Sequence, residues 1–365
     1  MPQIDQAQIE QAISTYQDAN LKTDYVTANA VEAVEIQADL IRVKLDLGYP
    51  AAGIKAEIEN ALMERIKPLA GERSVEVVVD WEIKAQSVQK NLSNLSGVKN
   101  IIAVASGKGG VGKSTTASNL ALALSAEGAQ VGILDADIYG PSQAVMLGID
   151  PDRRPEVQGG DRWIPLTAHG IQAMSMGFLV GPSTPMVWRG PMASGALQQL
   201  LDQTSWQGLD YLIVDMPPGT GDIQLTLAQK VPVTGALIVT TPQDIALIDA
   251  RKGIEMFREV EIPVLGVVEN MSVHICSQCG HAENLFGSGG GEMIAKDYDT
   301  ELLGSLPLTM SIREQADGGT PTVVAEPDGK VAHIYRQVAR RLAGVLAGKA
   351  KDDKGGLPNI SIQDD

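Results

Sequence analysis

Ile101-Ile102-Ala103-Val104-Ala105-Ser106-Gly107-Lys108-Gly109-Gly110-Val111-Gly112-Lys113-Ser114-Thr115 is the stretch that decides the fold. Five apolar residues read as a buried strand. They run into the pattern G-x-x-x-x-G-K-[ST], Gly107 to Ser114. Each part has a physical reason. Gly107, Gly109, Gly110 and Gly112 let backbone N–H groups of Lys108, Val111 and their neighbours converge on phosphate oxygens with no side chain in the way. Lys113 places a point charge on the β and γ phosphates. Ser114 offers a hydroxyl to Mg²⁺, a hard ion that takes oxygen ligands. The helix expected from Ser114 and Thr115 onward turns its positive N-terminal end to the anion. Ala117, Leu120, Ala121 and Leu124 give that helix an apolar stripe.

Carboxylates follow at two later strand ends. Val131-Gly132-Ile133-Leu134 leads into Asp135-Ala136-Asp137, and Tyr211-Leu212-Ile213-Val214 leads into Asp215. The carboxyl ends of buried strands are where open α/β sheets bind ligands. If the first strand continues, alternation aims Asp135 and Asp137 the same way, one toward the metal and one toward an attacking water. Asp215 is expected at the Mg²⁺ site. After it, Met216-Pro217-Pro218-Gly219-Thr220-Gly221 is stiff before Gly219 and permissive after it. Such a loop can sense a γ-phosphate through a backbone N–H and move when that phosphate leaves.

Further apolar runs, Ala236–Val239 and Val264–Val268, alternate with helical sequence. The pattern predicts an α/β fold with a mostly parallel sheet covered by helices on both faces. Residues 152–190 carry Pro, Gly and polar clusters and read as hairpins and loops. A last helix over about 330–347 lines up Val331, Ile334, Val338, Leu342 and Val345. The first 85 residues read as a separate small α/β unit in the order helix, strand, strand, helix, strand. There Ile41, Val43, Leu45 and Leu47 alternate with polar residues, and Ile54, Ile58, Leu62 and Ile66 recur every four. The domain expectation is therefore 1–85, a linker 86–97, a main domain 98–350 and a disordered tail 351–365.

The 365 residues, 44% hydrophobic and 20% charged, describe a globular chain with material for a sizeable core. No stretch of about 18 apolar residues suggests a membrane span. The start of the chain shows no basic region with an apolar core, so a cytoplasmic protein is expected. The net charge of -16 argues against a nucleic-acid binder, which needs a basic face.

Lysines at both 108 and 113 within Gly-Lys-Gly-Gly-Val-Gly-Lys-Ser-Thr resemble the deviant Walker A motif of MinD, ParA and nitrogenase iron protein. Several other stretches make the chain similar to the Mrp/ApbC family of iron–sulfur cluster carrier ATPases. They are Leu-Asp-Ala-Asp-Ile-Tyr-Gly-Pro-Ser at 134–142, Trp-Arg-Gly-Pro at 188–191, Asp-Met-Pro-Pro-Gly-Thr-Gly-Asp at 215–222, Glu-Asn-Met-Ser at 269–272 and Cys-Ser-Gln-Cys-Gly at 276–280. The resemblance implies a P-loop NTPase fold preceded by a small iron–sulfur assembly-type domain. It implies hydrolysis of ATP to ADP and phosphate in a homodimer, with Mg²⁺. It also implies exchange of a cluster with donors and apo iron–sulfur proteins, without nucleic acid and without stable membrane association. Lys108 would reach the partner's nucleotide, Asp137 would position the hydrolytic water, Asp135 would support Mg²⁺, and Asn270 would contact adenine. The small domain resembles the one often fused to this family, but Asp18-Ala19-Asn20-Leu21 stands where Asp-Pro-Glu-Leu is usual, and it contains no cysteine.

Cys276 and Cys279 are the chain's two cysteines. Two thiolates hold half of a four-coordinate site. Two copies across a two-fold axis would bridge a [4Fe–4S] cluster. His274 and His281 could instead complete a zinc site in one chain, or the pair could be a thiol–disulfide switch. The resemblance favours the bridged cluster. The alternative reading is a MinD/ParA-like positioning ATPase with a structural zinc or redox cysteine pair, for which the last helix, with Arg336, Arg340 and Arg341, would supply a basic amphipathic anchor.

Overall fold

The computed structural model describes residues 4–89, 92, 95–179, 190–276 and 278–352. The chain divides into two compact units, Met1–Gln86 with Arg340–Asp365, and Ser87–Ala339. Trp188 and Arg189, the tail from 353 onward and Ser277 lie outside the described residues, as do parts of the 86–97 and 152–190 segments.

In the first unit, α1 (Gln6–Ser14) is capped by Asp5, whose carboxylate accepts from Gln8 N at 2.9 Å while Gln8 Oε1 accepts from Asp5 N at 3.2 Å. Strands β1 (Val31–Ile36) and β2 (Leu40–Asp46) pair antiparallel. Helix α2 (Lys55–Ala70) then crosses over to β3 (Ser74–Asp80), which lies parallel to β2. The alternation seen in sequence is physical: Ile41, Val43 and Leu45 are buried on one face of β2. Ile58, Leu62 and Ile66 are buried along α2.

The second unit is built on eight strands. They are β4 (Val98–Ala105), β5 (Val131–Asp135), β6 (Leu166–Ala168), β7 (Ile171–Ser175), β8 (Leu209–Asp215), β9 (Gly235–Thr240), β10 (Val264–Glu269) and, after the short strands β11 (His274–Ile275) and β12 (Ala282–Glu283), β13 (Leu302–Ser305). Their order across the sheet is β6-β7-β5-β8-β4-β9-β10-β13, with only β6 antiparallel to its neighbour. The expected mostly parallel sheet is present, and its central strands are buried along nearly their whole length.

Leu166–Ala168 and Ile171–Ser175 form a hairpin inside the segment read as hairpins and loops; that it joins the main sheet was not foreseen, and neither was Leu302–Ser305, which closes the other side. Each is short and rich in small residues. What makes each a strand is the ladder offered by a neighbour.

Helix α3 (Lys113–Ala126) also differs from the amphipathic expectation. Every residue from Thr116 to Leu124 is buried, so it is enclosed on all sides rather than along one stripe. The final helix, Lys330–Asp352, extends past the expected end, and Ala332, Tyr335, Val338, Leu342, Ala343 and Leu346 along it are buried.

Candidate functional site

The site forms where β4, β5, β8, β9 and β10 end. After β4 the chain turns through the glycines, and α3 begins at Lys113 with Gly112 in the left-handed region (φ 82°). A Cβ on Gly112 would lie 2.2 Å from Asn270 Nδ2. One on Gly107 would lie 2.1 Å from the backbone carbonyl of Asp249. Both positions therefore require glycine.

Lys113 is buried, and its ammonium pairs with the fully buried Asp215 Oδ1. It also reaches Ser114 Oγ at 3.1 Å. Asp215 and Asp135 are register partners on the parallel strands β8 and β5. Asp135 is fully buried too. Burial and the adjacent Asp215 carboxylate push its pKa up to about 7. It accepts from Ser142 N (2.9 Å), Gln143 N (3.1 Å), Ser175 Oγ (3.3 Å) and Asp137 N (3.2 Å). Two buried carboxylates thus face one buried ammonium. That set of hard oxygens, with Ser114 Oγ, suits a divalent cation. Ser142 Oγ, in the same turn, is buried with no hydrogen-bond partner among the described residues.

The strand stops at Asp135, so the shared direction expected for Asp135 and Asp137 does not arise. The bond from Asp137 N to Asp135 Oδ1 turns the chain out of the sheet. Asp137 is half-buried and accepts from Gly140 N at 3.3 Å. Burial raises its pKa, and the Lys113 charge opposes that rise.

Lys108 is half-buried, and its carbonyl accepts from Ser106 Oγ at 2.9 Å. The loop after β8 docks on the same segment, with Gly219 N donating to Ser106 O at 2.9 Å and Gly219 at φ 104°. Asn270, just past β10, donates from Nδ2 to Val111 O at 2.8 Å and accepts from Met271 N at 2.9 Å. Its amide thus braces the glycine loop. Gln143 also belongs to the cluster, at the start of the short helix α4 (Gln143–Met146), one residue past the stretch singled out at 134–142.

From Asn270 the chain runs into the hairpin β11–β12, which presents the cysteines. Cys276 N donates to His281 O and Gly280 N to Cys276 O, both at 2.9 Å. Cys276 is half-exposed and Cys279 exposed, both as free thiols. Backbone N–H groups of Cys279 and Gln278 hold the Cys276 thiol below its ordinary range, which favours thiolate. The within-chain zinc arrangement is not found. His274 Nδ1 donates to Leu308 O at 3.2 Å, and among the described residues no three His, Cys, Asp or Glu side chains gather as metal donors. The turn presents two thiols.

The departing motif of the small unit also has an account. Asp18 is buried and accepts from Tyr25 and Tyr49 hydroxyls, each at 2.6 Å, and from the Asn20 and Leu21 amides at 2.7 and 2.9 Å. It ties a local turn to two distant tyrosines and has no donor left to seek.

Comparison with known proteins adds to this geometry. The family model for NUBPL iron-transfer P-loop NTPases matches residues 97–343, and that for iron–sulfur cluster assembly proteins matches residues 6–79. An iron–sulfur cluster carrier protein of Pseudomonas fragi is 64% identical over 76% of this chain and 97% of its own length. One of Escherichia coli is 51% identical over 94% and 93%. A solved nucleotide-binding protein from Archaeoglobus fulgidus, in complex with ADP, is 36% identical with a TM-score of 0.56, covering 64% of this chain and 90% of that one.

Proposed function

The chain belongs to the family of NUBPL-type iron-transfer P-loop NTPases, and from that membership we propose that it carries iron–sulfur clusters under the control of ATP. One observation carries the reading. The same strand end serves both chemistries: Asn270 holds Val111 of the phosphate loop, and six residues on, Cys276 opens the thiol turn.

The nucleotide's phosphates sit against the N-terminal end of α3, and Lys113 leaves Asp215 to meet them. Ser114, Asp135 and Asp215 would hold Mg²⁺, which would supply neutralising charge at the phosphates. Asp137, less buried than Asp135, orients the attacking water. Lys108 reaches the nucleotide of a second copy. Gly219 N leaves Ser106 O to read the γ-phosphate, and loss of that phosphate lets the bond to Ser106 form again. Each chain contributes Cys276 and Cys279, so the cargo is a [4Fe–4S] cluster shared by two subunits. A shared, exposed cluster with two ligands per chain suits delivery to apo-proteins.

The membrane-positioning alternative finds less support among the described residues. In the last helix Val338 and Leu342 of the expected stripe are buried while Val331, Ile334 and Val345 are half-buried, and Arg336 pairs with the buried Glu127 at 2.7 Å; no described helix is long and apolar enough to cross a membrane.

Anaerobic reconstitution with iron and sulfide tests the proposal. It requires a broad visible absorption band and about four irons per dimer, both lost in Cys276→Ala/Cys279→Ala while ATP hydrolysis persists. A colourless protein holding about one zinc per chain would overturn it.

A further inference from the structure

Gln143 is 1% exposed, and its hydrogen bonds join three segments of the site. Its side-chain Nε2 donates to Asp215 Oδ2 at 2.8 Å and lies 3.2 Å from Ser114 O. Its Oε1 accepts from Ser118 Oγ at 2.6 Å. Its backbone N donates to Asp135 Oδ2. The neighbours fix which way the amide faces. A carboxylate and a carbonyl can only accept, so the NH₂ must face Asp215 and Ser114, and the oxygen faces the hydroxyl of Ser118.

Asp215 therefore has two partners of different kinds, Lys113 on Oδ1 and Gln143 on Oδ2. A phosphate draws Lys113 away. Gln143 is neutral and buried, and no anion competes for it. On the nucleotide-binding reading above, on which this step rests, we propose that Gln143 is a positioning residue. It holds the Asp215 carboxylate in place while Lys113 moves to the phosphates, and so sets how tightly Mg²⁺ is bound with the nucleotide. An amide suits this place because it donates without adding a third negative charge. Glutamate would bring that charge, and leucine of similar size would leave Asp215 Oδ2 without its donor.

The test is equilibrium binding of a fluorescent ADP analogue to the full chain, in EDTA and across a Mg²⁺ titration. The wild type, Gln143→Leu, Gln143→Glu and Ser118→Ala are compared. Removing such a supporting hydrogen bond weakens metal binding about 10- to 100-fold. Gln143→Leu should raise the Mg²⁺ concentration at half-saturation by at least about tenfold, leaving the affinity in EDTA within about twofold; Gln143→Glu, which loses the donor but adds a charge that attracts the cation, should raise it less. Ser118→Ala, which frees the amide to rotate but keeps its donor, should shift the Mg²⁺ midpoint in the same direction by less. It carries the test if the Gln143 variants do not fold. An unchanged Mg²⁺ midpoint, or an equal loss of affinity with and without Mg²⁺, overturns the role of Gln143. A wild type that binds no nucleotide under either condition overturns the nucleotide reading, and this one with it.

Discussion

Each of the two units buries carboxylate at a hydrogen-bonded site, one group in the small unit and two side by side in the large. Asp18 in the small unit receives four hydrogen bonds, two from tyrosine hydroxyls and two from amides. Asp135 and Asp215 in the large unit sit side by side with one ammonium between two negative charges. A buried charge surrounded by donors stabilises its fold. A buried pair of like charges costs stability that a bound cation recovers. Asp135 also receives four hydrogen bonds, so the difference lies in the second carboxylate beside it.

Substitutions can break or sharpen that contrast. Lys113→Ala should give the largest effect, lowering ATP hydrolysis by about 100-fold or more, as read from phosphate release. Hydrolysis within about tenfold of wild type would remove Lys113 from the chemistry. Asp18→Ala strands two buried tyrosine hydroxyls and should destabilise the small unit by about 3 kcal/mol. Amide exchange of Ile41, Val43 and Leu45 would report it, while nucleotide binding stays unchanged. Asp135→Asn should do the reverse. It should raise the melting temperature of the nucleotide-free chain by about 2–4 °C, on the order of 1 kcal/mol, and weaken nucleotide binding only when Mg²⁺ is present. A fall in melting temperature would mean that the four hydrogen bonds to Asp135 outweigh the repulsion from Asp215. Asn270→Ala should be mildest. Loss of its bond to Val111 O should weaken nucleotide affinity about fivefold, or about 1 kcal/mol, as measured by calorimetry.

The contrast also shows where sequence reading stops. Gly107–Thr115 was legible because its chemistry is local: a strand, a glycine turn and a helix start within a dozen residues. Asp135 and Asp215 were legible because each ends a continuous apolar run. Gln143 was not, although it follows a quoted stretch directly, because its partners come from residues 114, 118, 135 and 215. Asp18 was singled out, but its partners Tyr25 and Tyr49, 7 and 31 residues away, were not, for the same reason. The strand Ile171–Ser175 carries no strong signal of its own, and its pairing with β5 defines it.

The sequence by itself determined the residue types: a lysine at the end of the glycine loop, carboxylates at strand ends, and two thiols in one turn. Periodicity of apolar residues also settled the alternation of strand and helix, because burial of one face is a local demand. Only the tertiary structure decided how charges combine. It placed Asp135 beside Asp215, assigned Lys113 and Gln143 to opposite oxygens of one carboxylate, and left the His side chains unassembled around the thiols. Such pairings depend on which strands become neighbours. Strand order is set by the packing of the whole sheet, which no single segment encodes.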